Sequence, residues 1–213
     1  METAALTESL RVIRHSVVAD ALCVLRRQDS STVEFRQAAH ALARALAYEA
    51  TRDLPVEAIE IRTPMESTTA HRISAKVVAA PVLRAGLGML QGFLDVVPTA
   101  ATGFVGLKRN EETLQPHEYY RNFPELAGSH LFLLDPMLAT GGTIRAVLRG
   151  LPLESIASVS LLSIIAAPEG VRDLSAEFPE VAIYTGSLDR CLNECGYILP
   201  GLGDAGDRLC QTL

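Results

Sequence analysis

Apolar positions recur along the chain in two rhythms. Ser31-Thr32-Val33-Glu34 has the form of a capping box, a hydroxyl followed three residues later by a glutamate, and it predicts the start of a helix. Phe35, Ala39, Leu42 and Leu46 then repeat at helical spacing, giving one apolar face through Tyr48 before Pro55 closes the segment. Lys76 to Leu83 (KVVAAPVL) is a short β-rich run ending at Arg84-Ala85-Gly86, and Leu87 to Val97 reads as a helix. Thr102 to Leu107 is a second short run containing Gly103 and Gly106. Leu131 to Leu134 is wholly apolar, as expected of a strand covered on both faces. Ile144, Val147, Leu148 and Leu151 give the next helix its buried stripe, and Ser158 to Ala167 and Val181 to Tyr184 read as further strands.

Strands alternating with helices predict an α/β fold, a largely parallel sheet flanked by helices, in a single domain over residues 1–213. Ligands of such sheets bind at the carboxyl ends of the strands. Three glycine-rich segments, RAGLG, GFVGLKR and LATGG, each follow a strand, so three loops are expected to meet at one site. Asn110 to Pro124 (NEETLQPHEYYRNFP) is polar and aromatic without a clean period, and reads as a flexible loop, arm or lid.

Composition narrows this picture. A chain of 213 residues with 48% hydrophobic residues can bury a sizeable core. No run approaches the roughly 20 apolar residues of a membrane span, and METAALTESLRVIRH lacks the apolar centre of a signal peptide, so a cytoplasmic protein is the expectation. The net charge of −6 argues against broad nucleic-acid binding, which needs a positive face. A few local arginines can still hold an anionic small molecule. Cys23, Cys191, Cys195 and Cys210 read as ordinary reduced thiols; Cys191 and Cys195 would share a helix face, but no His/Cys set completes a zinc site.

The segment with the most chemistry is Asp135-Pro136-Met137-Leu138-Ala139-Thr140-Gly141-Gly142-Thr143. An apolar strand delivers Asp135, and the chain then turns into a helix. Gly141 and Gly142 let backbone amides approach a ligand, the helix N-terminus adds partial positive charge, and Thr140 and Thr143 add hydroxyl donors. Asp135 suits sugar hydroxyls or the waters of a divalent cation. Together these fit a phosphorylated sugar. A Walker loop is excluded because no Gly-Lys-Ser/Thr occurs. Gly201, Gly203 and Gly206 spell G-x-G-x-x-G, but the few residues after them leave no room for a βαβ unit. Arg84 and Arg109 sit at strand ends beside glycine-rich turns, where guanidinium groups can grip a pyrophosphate. The glycine-dense tail GYILPGLGDAGDR would fray unless it presented its backbone to a flat ligand.

At these residues the chain resembles the uracil phosphoribosyltransferases. The likeness runs through AYEATRDLP, PVLRAGLGM, GLKRNEETLQPHEYY, LLDPMLATGG, AAPEGV and LNECGYILPGLGDAGDR, six blocks in order. It implies a type I phosphoribosyltransferase fold and transfer of phosphoribose from phosphoribosyl pyrophosphate (PRPP) to uracil, giving UMP and pyrophosphate, assisted by Mg²⁺. It also implies that Asp135 to Thr143 hold the ribose hydroxyls and 5′-phosphate, and that Arg84 and Arg109 contact the pyrophosphate. Ile198 and Gly203-Asp204-Ala205 would recognise uracil largely through main-chain groups, with Asp204 also near the donor and its metal, and Asp204 and Arg109 acting in catalysis. Tyr119 and Tyr120 fall in the family's flexible loop. A homodimer or higher homo-oligomer is implied, and GTP is a candidate effector. Three departures stand out: Asp135 is followed by Pro136 instead of a second acid, which is the uracil-enzyme variant. Thr143 replaces a common Ser, and Lys108 stands where Tyr is frequent. The competing readings are a phosphoribosyltransferase for another base and a non-catalytic nucleotide-binding regulator of the same fold.

Overall fold

The computed structural model describes residues 9–109 and 116–212. In chain order come β1 (Leu10–Val12), α1 (Ser16–Arg26) and α2 (Thr32–Ala50). The capping box is present: Ser31 Oγ accepts from Glu34 N at 3.3 Å, and Glu34 Oε2 accepts from Ser31 N at 2.8 Å. An antiparallel hairpin follows, β2 (Val56–Arg62) with β3 (Ser67–Ile73). Nearly all its side chains are exposed, so it carries no inside–outside alternation and the apolar pattern does not reveal it. α1 does carry a helical stripe, buried Val18, Ala21, Leu22 and Leu25, which the reading of the sequence passed over.

The remaining elements are β4 (Lys76–Leu83), α3 (Leu87–Leu94), β5 (Ala101–Thr102), β6 (Phe104–Arg109), β7 (Pro116–Asn122), β8 (Ser129–Leu134) and β9 (Met137–Leu138). Then come α4 (Gly142–Arg149), β10 (Ser158–Ala166), α5 (Pro168–Glu177), β11 (Ala182–Leu188), β12 (Cys191–Leu192), β13 (Ile198–Leu199) and α6 (Ala205–Cys210). The main sheet runs β1-β11-β10-β8-β4-β6-β7, with β5 beside β4 and β9 beside β10. Every pairing in it is parallel except β6 with β7.

Both faces of this sheet are covered. Val77, Ala79, Phe132 and Leu134 join one core with α1, α2 and α3, whereas Val78, Ala80, Leu131 and Leu133 join another with α4 and α5. The alternation of side chains along β4 and β8 assigns neighbours to opposite layers, so the strands must be apolar throughout. From β4 the chain steps to β6 on one side, and from β8 it steps to β10 on the other. The order reverses between β4 and β8, and a crevice opens there at their carboxyl ends.

Three expectations need correction. Phe104 to Arg109 of GFVGLKR form strand β6, so this segment is not a ligand loop. Its glycines make room for aromatic rings, Gly103 for Phe123 and Gly106 for Tyr119. Tyr119 and Tyr120 lie on β7, whose Pro116–Asn122 backbone is paired with β6; the aperiodic look of this stretch hid an edge strand. The part of the expected loop at 110–115 lies outside the described residues. Cys191 and Cys195 share no helix: Cys191 is in β12 and Cys195 in the turn after it, where Asn193 Oδ1 accepts from Cys195 N and Tyr197 N at 3.0 and 2.8 Å.

Candidate active site

Asp135 follows the last residue of β8 at the switch point. Its backbone N donates to Leu162 O at 3.1 Å, and its Oδ1 accepts from Met137 N at 3.3 Å. Burial pushes the Asp135 carboxyl up to about 6, and the Met137 amide opposes that shift. The segment beyond it is firmly held. Ile165 N donates to Pro136 O at 3.1 Å and Ala167 N to Leu138 O at 2.8 Å, so β9 is stitched to β10 before the turn begins.

At the turn, Thr140 Oγ1 accepts from Gly142 N at 3.3 Å and Gly141 takes the left-handed conformation with φ of 74°. A side chain there would be strained and would also bring Cβ within 3.1 Å of Gly170 O. Gly170, in α5, packs its own Cα face on Ala139 O, where any Cβ would collide. The turn therefore enters α4 pressed against α5, with a helix N-terminus aimed at the crevice.

Two other segments close on this one. Gly86, in the RAGLG turn after β4, lies so near Leu134 O that a Cβ would overlap it, which brings the β4 turn directly against the end of β8. Arg84 is exposed there, its Nη2 3.8 Å from Asp207 Oδ1 of α6. The tail arrives from the other side. Asp204 caps α6, its Oδ1 accepting from Asp207 N at 3.0 Å, and Gly206 lies beside Ala85. Left-handed Gly201 and Gly203, with φ of 69° and 77°, allow the sharp bends between β13 and α6.

Asp135, Met137 to Thr143, Ile198, Gly203 and Asp204 line one cavity of about 590 Å³. Ile165, Tyr197 and Leu202 are among its other lining residues, none of them given a role by the sequence; Tyr197 and Leu202 lie inside the glycine-dense tail, the signal that could have found them. The other expected residues stand apart. Pro136 is buried and pairs through its carbonyl with β10, and Ala205 is wholly buried in the core beneath α6. Arg84 does not line this cavity and faces Asp207 of α6 instead. Arg109 ends β6, and its side chain lies outside the described residues.

Among the described residues no group of three or more His, Cys, Asp and Glu could hold a metal ion. A hard cation that brings its own phosphate oxygens and waters needs only one or two carboxylates. Asp135 and Asp204, facing the same cavity, fit that requirement. Likewise, among the described residues no helix is long and apolar enough to cross a membrane.

A largely parallel sheet with an antiparallel edge, carrying a carboxylate, a glycine turn and a helix N-terminus at its switch point, defines the type I phosphoribosyltransferase fold. Solved structures of low identity share that fold. A hypoxanthine phosphoribosyltransferase from Trypanosoma cruzi superposes with a TM-score of 0.51 at 14% identity, covering 74% of this chain and 76% of that one. The family model described as uracil phosphoribosyltransferase matches residues 12–212. Proteins named uracil phosphoribosyltransferase are similar over 204 residues, 95% of this chain and 98% of theirs: 47% identical in Streptococcus equi subsp. zooepidemicus and 46% in Enterococcus faecalis. The AQ2163 protein from Aquifex aeolicus superposes with a TM-score of 0.91 at 43% identity, covering 95% of this chain and 98% of that one. The chain belongs to the uracil phosphoribosyltransferase family.

Proposed function

We infer that this protein transfers the 5-phosphoribosyl group from PRPP to uracil, giving UMP and pyrophosphate. The observation that carries the reading is the family match over residues 12–212, in a chain whose cavity brings Asp135, the Thr140–Thr143 turn and Asp204 together. In this reading the 5′-phosphate rests on the turn and the N-terminus of α4, where amides and the Thr140 and Thr143 hydroxyls donate to it. Asp135 accepts from the ribose hydroxyls in its ionised form, which the buried site makes costly until the sugar supplies donors. Exposed Gly203 and Asp204 present main-chain groups to the imide edge of uracil, with Ile198 as an apolar wall.

The bond that breaks joins ribose C1 to pyrophosphate, the bond that forms joins C1 to the N1 nitrogen of uracil, and the N1 proton passes to the departing pyrophosphate or to water. Positive charge builds on the sugar while negative charge leaves with pyrophosphate. In this reading Arg84 and Arg109 contact the pyrophosphate and stabilise its charge electrostatically as it leaves. Mg²⁺, held mainly by PRPP and water near Asp204, would neutralise part of that charge. In this reading displacement is direct and dissociative, with Asp204 orienting the reacting groups. The same proposal includes one domain over residues 1–213, a cytoplasmic location, and a homodimer or larger homo-oligomer that responds to GTP. Size exclusion with and without GTP tests the assembly.

Incubation with labelled uracil, PRPP and Mg²⁺ should yield labelled UMP. Turnover with another base and none with uracil would overturn the specificity. No turnover with any base would favour the nucleotide-binding regulator.

A further inference from the structure

The segment Pro200 to Asp204 is a wall between two hollows. On one side is the site cavity of about 590 Å³; on the other is a cleft of about 470 Å³ between the end of α1, the start of α2, and α6. Pro200, Leu202, Gly203 and Asp204 border both. Leu202 anchors the stretch in the core, but Pro200, Gly203 and Asp204 are exposed, so hydrogen bonds fix the main chain on either side of that anchor.

One ion pair supplies both of those at Gly201. Arg26, the last residue of α1, sends Nη1 to Asp189 Oδ2 at 2.8 Å and to Gly201 O at 2.9 Å. Its Nη2 donates to Asp189 Oδ1 at 2.6 Å and Ser187 Oγ at 3.0 Å. Asp189 Oδ2 in turn accepts from Gly201 N at 3.0 Å, and Oδ1 accepts from Ser187 Oγ at 2.7 Å. Both polar groups of Gly201, N–H and C=O, are thus held by the two members of one bidentate pair. Burial works against the Asp189 charge, but the bonds from Arg26, Ser187 and Gly201 outweigh it and keep the carboxyl below its usual range. Arg208 reinforces the wall from α6, donating to Leu202 O at 2.9 Å, Leu25 O at 2.6 Å and Arg27 O at 2.6 Å.

A largely buried ion pair contributes little net stability compared with apolar packing, because desolvation offsets its attraction. What it supplies here is direction: a planar fork and a carboxylate define where one peptide unit must lie. We propose that Arg26 and Asp189 are positioning residues for base recognition, gripping Gly201 so that the main chain of Gly203 to Ala205 meets the base edge in register. This rests on the reading that the tail recognises uracil. Arg26 and Asp189 act on the tail at Gly201, whereas Ile165, Ala167 and Gly170 hold the Asp135–Thr143 turn, so loss of Arg26 or Asp189 should fall on the base and spare PRPP.

The test is steady-state kinetics on the full chain for Arg26→Met, Arg26→Lys, Asp189→Asn and Ser187→Ala, with melting temperature measured alongside. Leu174→Ala, in the opposite core, serves as a control for general destabilisation. Arg26→Met and Asp189→Asn should raise the KM for uracil about tenfold and the KM for PRPP less than about twofold. Arg26→Lys, which keeps the charge but loses the fork, should raise the uracil KM about threefold. An equal rise in both KM values, or a lower melting temperature with both KM values unchanged, would overturn the proposal. Should Arg26→Met or Asp189→Asn fail to fold, Arg26→Lys and Ser187→Ala carry the same ratio, and an unchanged ratio is equally decisive against it. Absence of uracil turnover in the unaltered protein would overturn the reading of the base site instead. The ratio is then taken with the base that is turned over, and an unchanged ratio there overturns the positioning role.

Discussion

The two halves of the site are built by different means. The proposed sugar-phosphate half, Asp135 to Thr143, is one contiguous stretch running from β8 through β9 into α4, and neighbouring main chain holds it: Ile165 of β10, Ala167 just after it, and Gly170 of α5. The base half, Pro200 to Asp204, has no strand beside it. Its position depends on side chains: Arg26, at a separation of 175 residues from Gly201, with Asp189 and Arg208 at 12 from Gly201 and 6 from Leu202. Backbone ladders tolerate change in side chains, because they need only the fold. Side-chain clamps do not, since one substitution removes donor and geometry together. The phosphate half should therefore be sensitive chiefly at its glycines and the base half at its charged residues.

The largest effect should separate charge from capping at Asp204. Asp204→Asn keeps an oxygen for the Asp207 amide, so α6 should stay capped and the melting temperature nearly unchanged. Turnover should fall about a hundredfold, as when a group that orients or stabilises the reacting charges is lost. Near-normal turnover in that variant would remove Asp204 from the chemistry and leave it a cap.

Gly170→Ala tests the ladder-held half. The added Cβ would run into Ala139 O and push the turn out of place. The KM for PRPP should rise about tenfold while that for uracil changes little, the mirror image of the Arg26 series. A larger rise for uracil than for PRPP would erase the contrast between the halves.

Acidity at Asp135 offers a third way in. Its folded value of about 6 lies above the ordinary carboxylate value of about 3.9. Between those two values the folded chain keeps a proton that the unfolded chain has released. The Asp135 contribution to stability is therefore greatest at low pH and declines as pH rises through that window. Binding runs the opposite way, because only the ionised form accepts from two ribose hydroxyls. The kcat/KM for PRPP should drop as pH falls below about 6, and Asp135→Asn should lose that limb of the profile along with most of its PRPP affinity. A pH profile that persists unchanged in Asp135→Asn would assign the titration to another group.

The smallest effect is expected at Ser31→Ala, which breaks the capping box of α2 at a cost of about 1 kcal/mol. Its melting temperature should fall by a few degrees with both KM values untouched.

The same contrast explains what could be read in advance. The Asp135 turn was legible because all its chemistry lies within nine consecutive residues, from a run of apolar strand to a Gly-Gly helix start. The parallel sheet was legible too, since β4, β8 and β10 are apolar on both faces. The β2–β3 hairpin was not, because exposed strands show no burial pattern. β7 was hidden by its exposed aromatics, whose partner is a glycine gap on β6. Arg26, Asp189 and Ser187 were invisible as a group, for nothing in a linear reading brings residues 163 positions apart to one peptide.

The clasp between α1 and the tail also sets an order of events during synthesis. Asp135 and its partner Leu162 are both made before the tail. The end of α1, by contrast, must leave Arg26 and the Leu25 carbonyl unclaimed by the tail until Asp189, Gly201 and Arg208 have been made. The proposed hold on the base is thus the last part of the site to be synthesised, and it depends on one of the first helices.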